Sequence, residues 1–403
     1  MKTKAKRLIR NVTVQLFLAV VAYFMLFPFT YMVTSSLKTP TDTFRVPPKL
    51  LPRDQERTDV AGIGEDLPLF YVDSGGERKK LALAQKNIPI GIFARADDPA
   101  VTYERFLSEA QPVLGPSGEQ ESLVVGGAET ALWSIEDQGK TIQATMVTRT
   151  SVGSFVDPDE PSSPVYANVR LSEPVENVSW HPENYREVFE LQGLFRSLTN
   201  TILVTILVVI GQIVTSVMGG YAFARLKFPG RSKLFLIYLG TYMIPFVILI
   251  IPLYQVMKAL NWVNTMTALV VPWVFTVYGT FLMRQFFLAI PKELEEAAYM
   301  DGASRWLMLK KIFIPAVMPG IATLATFTFL YAWNSFLWPL IIIKIGSENA
   351  VLTLALSQLQ GRASDKLNLI LAGAAVTILP PVLVFISMQK YYLSSIMTSG
   401  LKG

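Results

Sequence analysis

Few residues in this sequence could carry out chemistry. The 403 residues include no cysteine and one histidine, His181, so thiol nucleophiles, thiolate metal sites and disulfides are excluded within them. A catalytic triad would have to use His181, which lies between Trp180 and Pro182 in no recognisable motif. No Gly-rich phosphate loop of the form GxxxxGK followed by Ser or Thr is present. The sequence therefore predicts no catalytic residue, cofactor or metal site, and any ATP hydrolysis would belong to another subunit.

The most informative spacing lies at residues 290–315. Pro291 is a good first residue of a helix, and the glutamates that follow it favour the positive end of the helix dipole. Asp301 and Gly302 would end that helix, because glycine adopts positive φ at little steric cost. Ser304 can cap a second helix. The pattern predicts two short helices joined by a sharp bend.

Such a bend could bind another protein. Ala297 and Ala298 would form a small-residue surface that a partner can approach closely, with Glu296 and Asp301 as acidic groups beside it. We expect three residues of the second helix to anchor it on the membrane domain: Trp306, Leu307 and Phe313. An ordinary amphipathic hairpin between two membrane spans is the alternative explanation.

A second set of residues could contact a polar solute. Polar groups are costly in lipid and usually face a cavity or a neighbouring helix, and aromatic rings stack on sugar rings. The candidates for a substrate path are Asn200, Gln212, Tyr331, Trp333 and Asn334, with Ser335 and Trp338 nearby. Helix packing and an interfacial aromatic belt are the alternative explanations for each.

Six apolar segments must position these residues. Apolar residues make up 51% of the chain, and each segment has about twenty residues, which matches a hydrocarbon core about 30 Å thick. The segments cover residues 14–35, 198–222, 234–254, 266–287, 316–343 and 367–388. A cleavable signal peptide is the alternative for the first segment, but its length and the lack of a small-x-small site favour an uncleaved span.

The distribution of basic residues predicts the orientation. Lysines and arginines precede the first segment and recur in alternate connections, including the one at 290–315. Because such residues collect on the cytoplasmic side, both termini and this loop are expected there. The same rule accounts for the net charge of +5 without nucleic-acid binding.

The region between the first two spans differs in composition. Residues 37–196 are rich in charged residues, proline and glycine, with short β-prone runs between turn-like groups. This predicts a mostly β domain inserted on the extracytoplasmic side. A long disordered loop is the alternative.

The loop at 290–315 resembles the signature of binding-protein-dependent ABC importer permeases. That signature has Glu-Ala-Ala, then three residues, Gly, nine residues, Ile, one residue, an aliphatic residue and Pro. The matching residues here are Glu296, Ala297, Ala298, Gly302, Ile312, Ile314 and Pro315. The departure is Ile314, where the family usually has the nearly isosteric leucine.

Other segments resemble the maltose-type carbohydrate permeases, in particular the six-span member of the permease pair. They are residues 221–235 (YAFARLKFPGRSKLF), 333–341 (WNSFLWPLI), 351–361 and the terminal TSGLKG. The resemblance covers the first span and residues 180–403. It does not cover the insertion.

The resemblance implies an all-α polytopic membrane bundle of six transmembrane helices, as in type I ABC importer permeases, with the β domain inserted. The expected divisions are 1–36 for the N-terminus and first span, 37–196 for the insertion and 197–403 for the permease core.

The resemblance also implies partners and a mechanism. The partners are a second homologous permease subunit, a dimer of ATPase subunits, an extracytoplasmic sugar-binding protein and the bilayer of a bacterial or archaeal cell membrane. Residues Glu296 to Arg305 would seat in the ATPase, and its closure would drive alternating access for a sugar, in particular an oligosaccharide.

Three alternatives remain at this stage. An importer of the same architecture could carry an amino acid, a peptide or phosphate, since the signature loop is shared among them. A secondary transporter or channel would be expected to place charged residues within its spans, and the spans here hold almost none away from their ends. A membrane-anchored β domain with a receptor or enzyme role would not need five further spans.

Overall fold

A computed structural model describes residues 2–399 apart from 75, 117, 126, 127, 138, 363 and 364. Residues 400–403, which end the TSGLKG segment, lie outside the described part. The chain divides into two compact units. The helical unit comprises Met1–Pro52 and Trp180–Gly403, and the strand unit comprises Arg53–Ser179.

The helical unit has fifteen α-helices among the described residues. In chain order they are α1 Lys2–Ser35, α2 Pro40–Thr43, α3 Glu183–Glu190, α4 Leu194–Arg225, α5 Arg231–Thr241, α6 Phe246–Ala259, α7 Met266–Val270, α8 Val277–Leu288, α9 Lys292–Met300, α10 Arg305–Met308, α11 Ile314–Ala316, α12 Met318–Trp333, α13 Leu337–Ile342, α14 Leu352–Arg362 and α15 Leu367–Ser399. Two 3₁₀ turns, Leu191–Gly193 and Val271–Trp273, and one π turn, Leu309–Phe313, interrupt them.

Three unbroken helical segments are long and apolar enough to cross a membrane: Arg10–Ser35, Leu194–Arg225 and Leu367–Gln389. Three pairs of helices reach that length only together. They are α5 with α6, the segment Met266–Trp273 with α8, and the segment Arg305–Ala316 with α12, bent by 95°, 40° and 76°. By length and composition the described residues supply up to six spans, if each bent pair crosses once.

The fifth predicted span, 316–343, is not one continuous helix. α12 ends at Trp333, and α13 begins only at Leu337. Proline at position 339 has no N–H to donate to the carbonyl of Ser335, four residues earlier, and its ring would clash with that carbonyl in a helix. Thr353 donates its hydroxyl to the Ser335 carbonyl instead, at 2.6 Å. Pro339 thus explains the break, and Thr353 of α14 supplies the partner that the Ser335 carbonyl would otherwise lack.

The strand unit, Arg53–Ser179, lies within the predicted insertion of 37–196. Residues 37–52 and 180–196 group with the helical unit, and buried hydrogen bonds explain why. The amide of Asn184 donates to the carbonyls of Ser36 at 2.9 Å and Lys38 at 2.8 Å, and it accepts from Asn368 at 3.1 Å. These bonds join the C-terminal end of α1 to α3 and α15.

The strand unit is antiparallel. Its strands are β1 Arg53–Gln55, β2 Arg57–Val60, β3 Gly64–Ser74, β4 Glu77–Arg95, β5 Thr102–Phe106, β6 Gln111–Pro112, β7 Ser122–Val125, β8 Ala128–Asp137, β9 Lys140–Val156, β10 Val165–Ala167, β11 Glu173–Pro174 and β12 Glu176–Val178. Ten of them form a sheet around the order β11-β3-β4-β9-β8-β6, with β2, β5, β7 and β10 attached at its sides.

Pairing at the two ends defines this unit. β1 pairs with β12, so Arg53 lies opposite Val178 where the chain enters and leaves. Phe93 of β4 and Phe155 of β9 are fully buried, and these two strands pair with each other. The insertion therefore has a core of its own and needs no disulfide.

In the helical unit, α4 and α8 pack closely at Gly220. A Cβ added at Gly220 would lie 2.7 Å from the Cβ of Met283 and 2.8 Å from the backbone nitrogen of Arg284. The two backbones are thus close enough that only glycine fits, as at helix contacts in membranes. Around this contact lies a buried cluster that includes Val217, Tyr221, Met283, Phe287, Phe313 and Leu324.

We predict that Gly220→Ala lowers the free energy of unfolding by about 1–3 kcal/mol, because the added methyl group meets atoms that cannot move without shifting α8. The matched control is Gly240→Ala in α5, where an added Cβ meets no atom within 4 Å. Thermal unfolding of the detergent-purified chain, followed by tryptophan fluorescence, measures both. Equal melting temperatures for the two variants would contradict the close packing of α4 on α8.

A candidate partner-docking elbow

The loop at 290–315 forms two helices at a sharp turn. We call α9, residues 301–304 and α10 the elbow. Pro291 is the N-cap of α9, and Glu293 and Glu295 lie in its first turn. Gly302 has a φ of +75°, and the hydroxyl of Ser304 accepts from the N–H of Leu307 at 3.3 Å. The break and the second cap are where the sequence predicts them, whereas α9 starts one residue later, with Pro291 as its cap and not its first residue.

The turn closes the end of α9 with its own backbone. The N–H groups of Asp301, Gly302 and Ala303 donate to carbonyls of α9, each at 3.0 Å. Those carbonyls would otherwise lack partners at the end of a helix. The elbow is therefore held at a defined angle by hydrogen bonds of its own residues.

The two alanines of the signature face opposite ways. Ala298 is buried in the cluster around Phe313, whereas Ala297 is exposed. Of the predicted small-residue surface, Ala297 alone is open to a partner. The small side chain of Ala298 instead lets α9 pack closely against the rest of its own chain. Tyr299 and Met300, next in sequence, are 72% and 84% exposed.

The second helix of the elbow is anchored by other residues than predicted. Phe313 is fully buried, as expected, but Trp306 is 66% exposed and Leu307 is 46% exposed. Met308 and Leu309 are the buried residues instead. One turn of a helix places neighbours on different sides, so the chain turns Trp306 outward when it buries Met308. The elbow thereby exposes the apolar side chains of Tyr299, Met300 and Trp306.

The rest of the signature lies in the π turn and the start of α11. Ile312 and Ile314 are partly buried against the same cluster as Phe313. Pro315 occupies the first turn of α11, where a residue without an N–H loses no hydrogen bond. These residues join the elbow to α12 through the 76° bend.

Arg225 is a site residue that the sequence reasoning missed. Its side chain is 5% exposed and pairs with Glu295 of α9 at 3.0 Å. It also donates to the carbonyls of Phe287 and Ile290. The available signal in the sequence is an arginine three residues after the apolar segment 198–222, together with glutamates in the connection at 290–315.

Two of the five candidate path residues lie in α4, and both bind distant parts of their own chain. The Gln212 amide donates to the carbonyl of Trp273 at 2.7 Å and accepts from the hydroxyl of Thr328 at 2.7 Å. Asn200 donates to the carbonyls of Glu348 and Ala350, both at 2.8 Å. Gln212 thus joins α4 to α12 and to the 3₁₀ turn Val271–Trp273, and Asn200 joins α4 to the loop before α14.

The other three lie at the end of α12. Trp333 is buried and donates to the carbonyl of Thr377 at 3.0 Å, and Trp338 is buried with its N–H on the Ala268 carbonyl at 2.8 Å. Tyr331 and Asn334 are exposed. The cavity beside Tyr331 and Trp273 measures about 20 Å³. This volume is large enough for one water molecule and too small for a sugar ring.

Comparison with known proteins agrees with this arrangement. The model of the family "Binding-protein-dependent transport system inner membrane component" matches residues 212–397, which include the elbow and lie wholly in the helical unit. The chain is 36% identical over 222 residues to the arabinooligosaccharides transport system permease protein AraQ of Halalkalibacterium halodurans, covering 55% of this chain and 79% of that protein.

The chain is also similar to a second permease and to a solved structure. The sn-glycerol-3-phosphate transport system permease protein UgpE of Brucella melitensis is 33% identical over 223 residues, covering 53% of this chain and 79% of the relative. Among solved structures, the chain is similar to one from a bacterial ABC transporter involved in the import of the acidic polysaccharide alginate. That likeness has a TM-score of 0.47 and 23% identity, over 55% of this chain and 81% of the other. This chain belongs to the family of binding-protein-dependent transport system inner membrane components, the permease subunits of ABC importers.

Proposed function

We propose that this chain forms part of the membrane path of an ATP-driven sugar importer and that a separate ATPase subunit binds its elbow. The observation that carries the proposal is the elbow itself, a turn held by its own hydrogen bonds with large apolar side chains exposed. Exposed aromatic residues grouped in this way are typical of protein contacts. The proposed docking residues are Glu296, Ala297, Ala298, Asp301, Gly302 and Arg305. Ala298 contributes indirectly, because its burial packs α9 against the rest of the chain.

In this proposal the elbow transmits force. Closure of two ATPase subunits on ATP draws the elbows of two permease subunits together. The elbow moves as a rigid body because its turn is hydrogen-bonded and its inner face is packed. Its motion passes to α8 and α12, which flank it in sequence, and converts an inward-open path to an outward-open one.

The complete importer requires further chains. They are a second homologous permease subunit, the ATPase pair and an extracytoplasmic sugar-binding protein, assembled in a bacterial or archaeal cell membrane. Membership of a binding-protein-dependent family supports this set. The exposed apolar side chains of α6, including Ile248 and Ile251, are suited to contact with lipid or with the second permease.

An oligosaccharide is the proposed cargo. Support comes from a relative named for arabinooligosaccharide transport and from the carbohydrate-type segment at 333–341. The second candidate is sn-glycerol 3-phosphate, because a relative of comparable identity is named for it. An amino acid or a peptide is a weaker alternative that rests on the shared signature loop alone.

The proposed orientation places the elbow and both termini in the cytoplasm and the strand unit outside. Because the chain has no cysteine, single-cysteine variants carry one thiol each. We predict that a membrane-impermeant maleimide labels Val147→Cys in right-side-out vesicles and Tyr299→Cys only in inside-out vesicles. Both positions are exposed. Labelling of Tyr299→Cys from the outside would refute the orientation.

Tyr331 and Asn334 are the proposed solute contacts of this chain, because they are the two candidates whose side chains are exposed. We predict that Tyr331→Ala raises the solute concentration for half-maximal uptake about tenfold through loss of ring contact, with the melting temperature unchanged. Gln212→Ala should instead lower the free energy of unfolding by about 1–3 kcal/mol, because it leaves buried groups unpaired. If instead Gln212→Ala impaired uptake with unchanged stability and Tyr331→Ala lowered stability alone, the solute contact would be assigned to Gln212 and not to Tyr331.

Docking is tested by uptake and by complex assembly together. We predict that Ala297→Trp and Gly302→Pro reduce uptake of labelled arabinooligosaccharide at least about tenfold. The tryptophan obstructs the exposed face, and proline cannot adopt the positive φ of Gly302. The matched control is Lys233→Trp, an exposed position of α5. Cells that lack the chain and are complemented with each variant provide the uptake assay.

Two outcomes separate the parts of the proposal. Full uptake by Ala297→Trp, with the ATPase subunit still co-purifying with the tagged chain, would refute docking at the elbow. Uptake of labelled sn-glycerol 3-phosphate but not of arabinooligosaccharide by the wild-type chain would refute the sugar assignment and leave the docking test intact.

A further inference from the structure

The guanidinium of Arg225 lies at the point where the elbow joins the spans. Arg225 is the last residue of α4, and its side chain is 5% exposed. Burying a charge is costly unless it is paired and fully hydrogen-bonded. An arginine in this place must therefore obtain its partners from the elements packed around it.

Two of those partners are backbone carbonyls, one in the last turn of α8 and one two residues beyond its end. One terminal nitrogen of Arg225 donates to the carbonyls of Phe287 and Ile290. The last carbonyls of a helix have no partner within it, and the negative end of the helix dipole favours a cation. Arg225 thereby joins the cytoplasmic end of α4 to that of α8.

The other two contacts belong to the elbow and its exit. The second terminal nitrogen pairs with a Glu295 carboxylate oxygen at 3.0 Å, and the guanidinium carbon lies 5.1 Å from the centre of the Phe313 ring. A lysine could not reproduce this set, because its ammonium is a single point donor without a planar fork or face. One side chain thus contacts α8, α9 and the π turn at once.

We propose that Arg225 is the positioning residue that fixes the elbow to α4 and α8, so that displacement of α9 is transmitted to these spans and not absorbed in the loop. This inference rests on the proposed function of the elbow as the ATPase contact. Breaking the pair should leave the ATPase bound and hydrolysing ATP while less of its stroke reaches the membrane path.

The first test uses the permease chain alone. A nitroxide on Met300→Cys, an exposed position, reports the mobility of the elbow. We expect Arg225→Lys and Glu295→Gln to sharpen the nitroxide spectrum, because the elbow becomes more mobile.

The matched control is Arg186→Lys, whose guanidinium pairs with Glu190 at 2.8 Å on the exposed surface of α3. Glu295→Gln keeps the carbonyl contacts of Arg225, so it remains informative if Arg225→Lys fails to fold. An elbow as immobile in both variants as in the control would overturn the proposal.

The second test uses the assembled importer. We expect the number of arabinooligosaccharide molecules imported per ATP hydrolysed to fall about tenfold in Glu295→Gln, with the ATPase subunit still co-purifying. Glu293→Gln, in the same first turn of α9, should leave that ratio unchanged. An unchanged ratio in Glu295→Gln would overturn the role of the pair in coupling. If docking itself is wrong, Ala297→Trp leaves uptake intact while the spectral result on Arg225 stands.

Discussion

The close contact of α4 with α8 is the constraint on which the elbow end of the helical unit depends. At Gly220 the two backbones approach so closely that a single methyl group would meet Met283. Five residues further on, this approach brings Arg225 within reach of the last carbonyls of α8. The same guanidinium then holds Glu295. A small-residue contact inside the membrane region therefore sets the position of a surface helix beyond it.

Polar side chains inside the helical unit serve mainly to connect helices. Gln212 links α4 to Trp273 and Thr328, and Thr353 satisfies the carbonyl freed by Pro339. Where water is scarce, a backbone carbonyl without a partner costs more free energy than the fixing of one side chain in a hydrogen bond to it. The breaks in the spans are thus compensated locally. Tyr331 and Asn334, the proposed solute contacts, are exposed at the end of α12.

Local patterns were reliable wherever neighbours in sequence set the conformation. The elbow was predictable because a proline, a glycine and a capping serine each act within one turn of chain. The strands of the insertion were predictable from composition, but its bounds were not. They depend on β1 pairing with β12, residues more than a hundred positions apart, and on Asn184 binding the end of α1.

The sequence by itself determined the class of protein, the number of apolar segments, the bend at Gly302 and the family signature, because these depend on composition and on spacing along the chain. Only the tertiary structure decided which signature side chains face outward. Ala297 is exposed and Ala298 buried, Trp306 is exposed and Met308 buried. The helical period alone cannot say which face meets the core. That choice is made by the cluster around Phe313 and by the buried charge of Arg225, whose partners lie some 60 to 90 positions away.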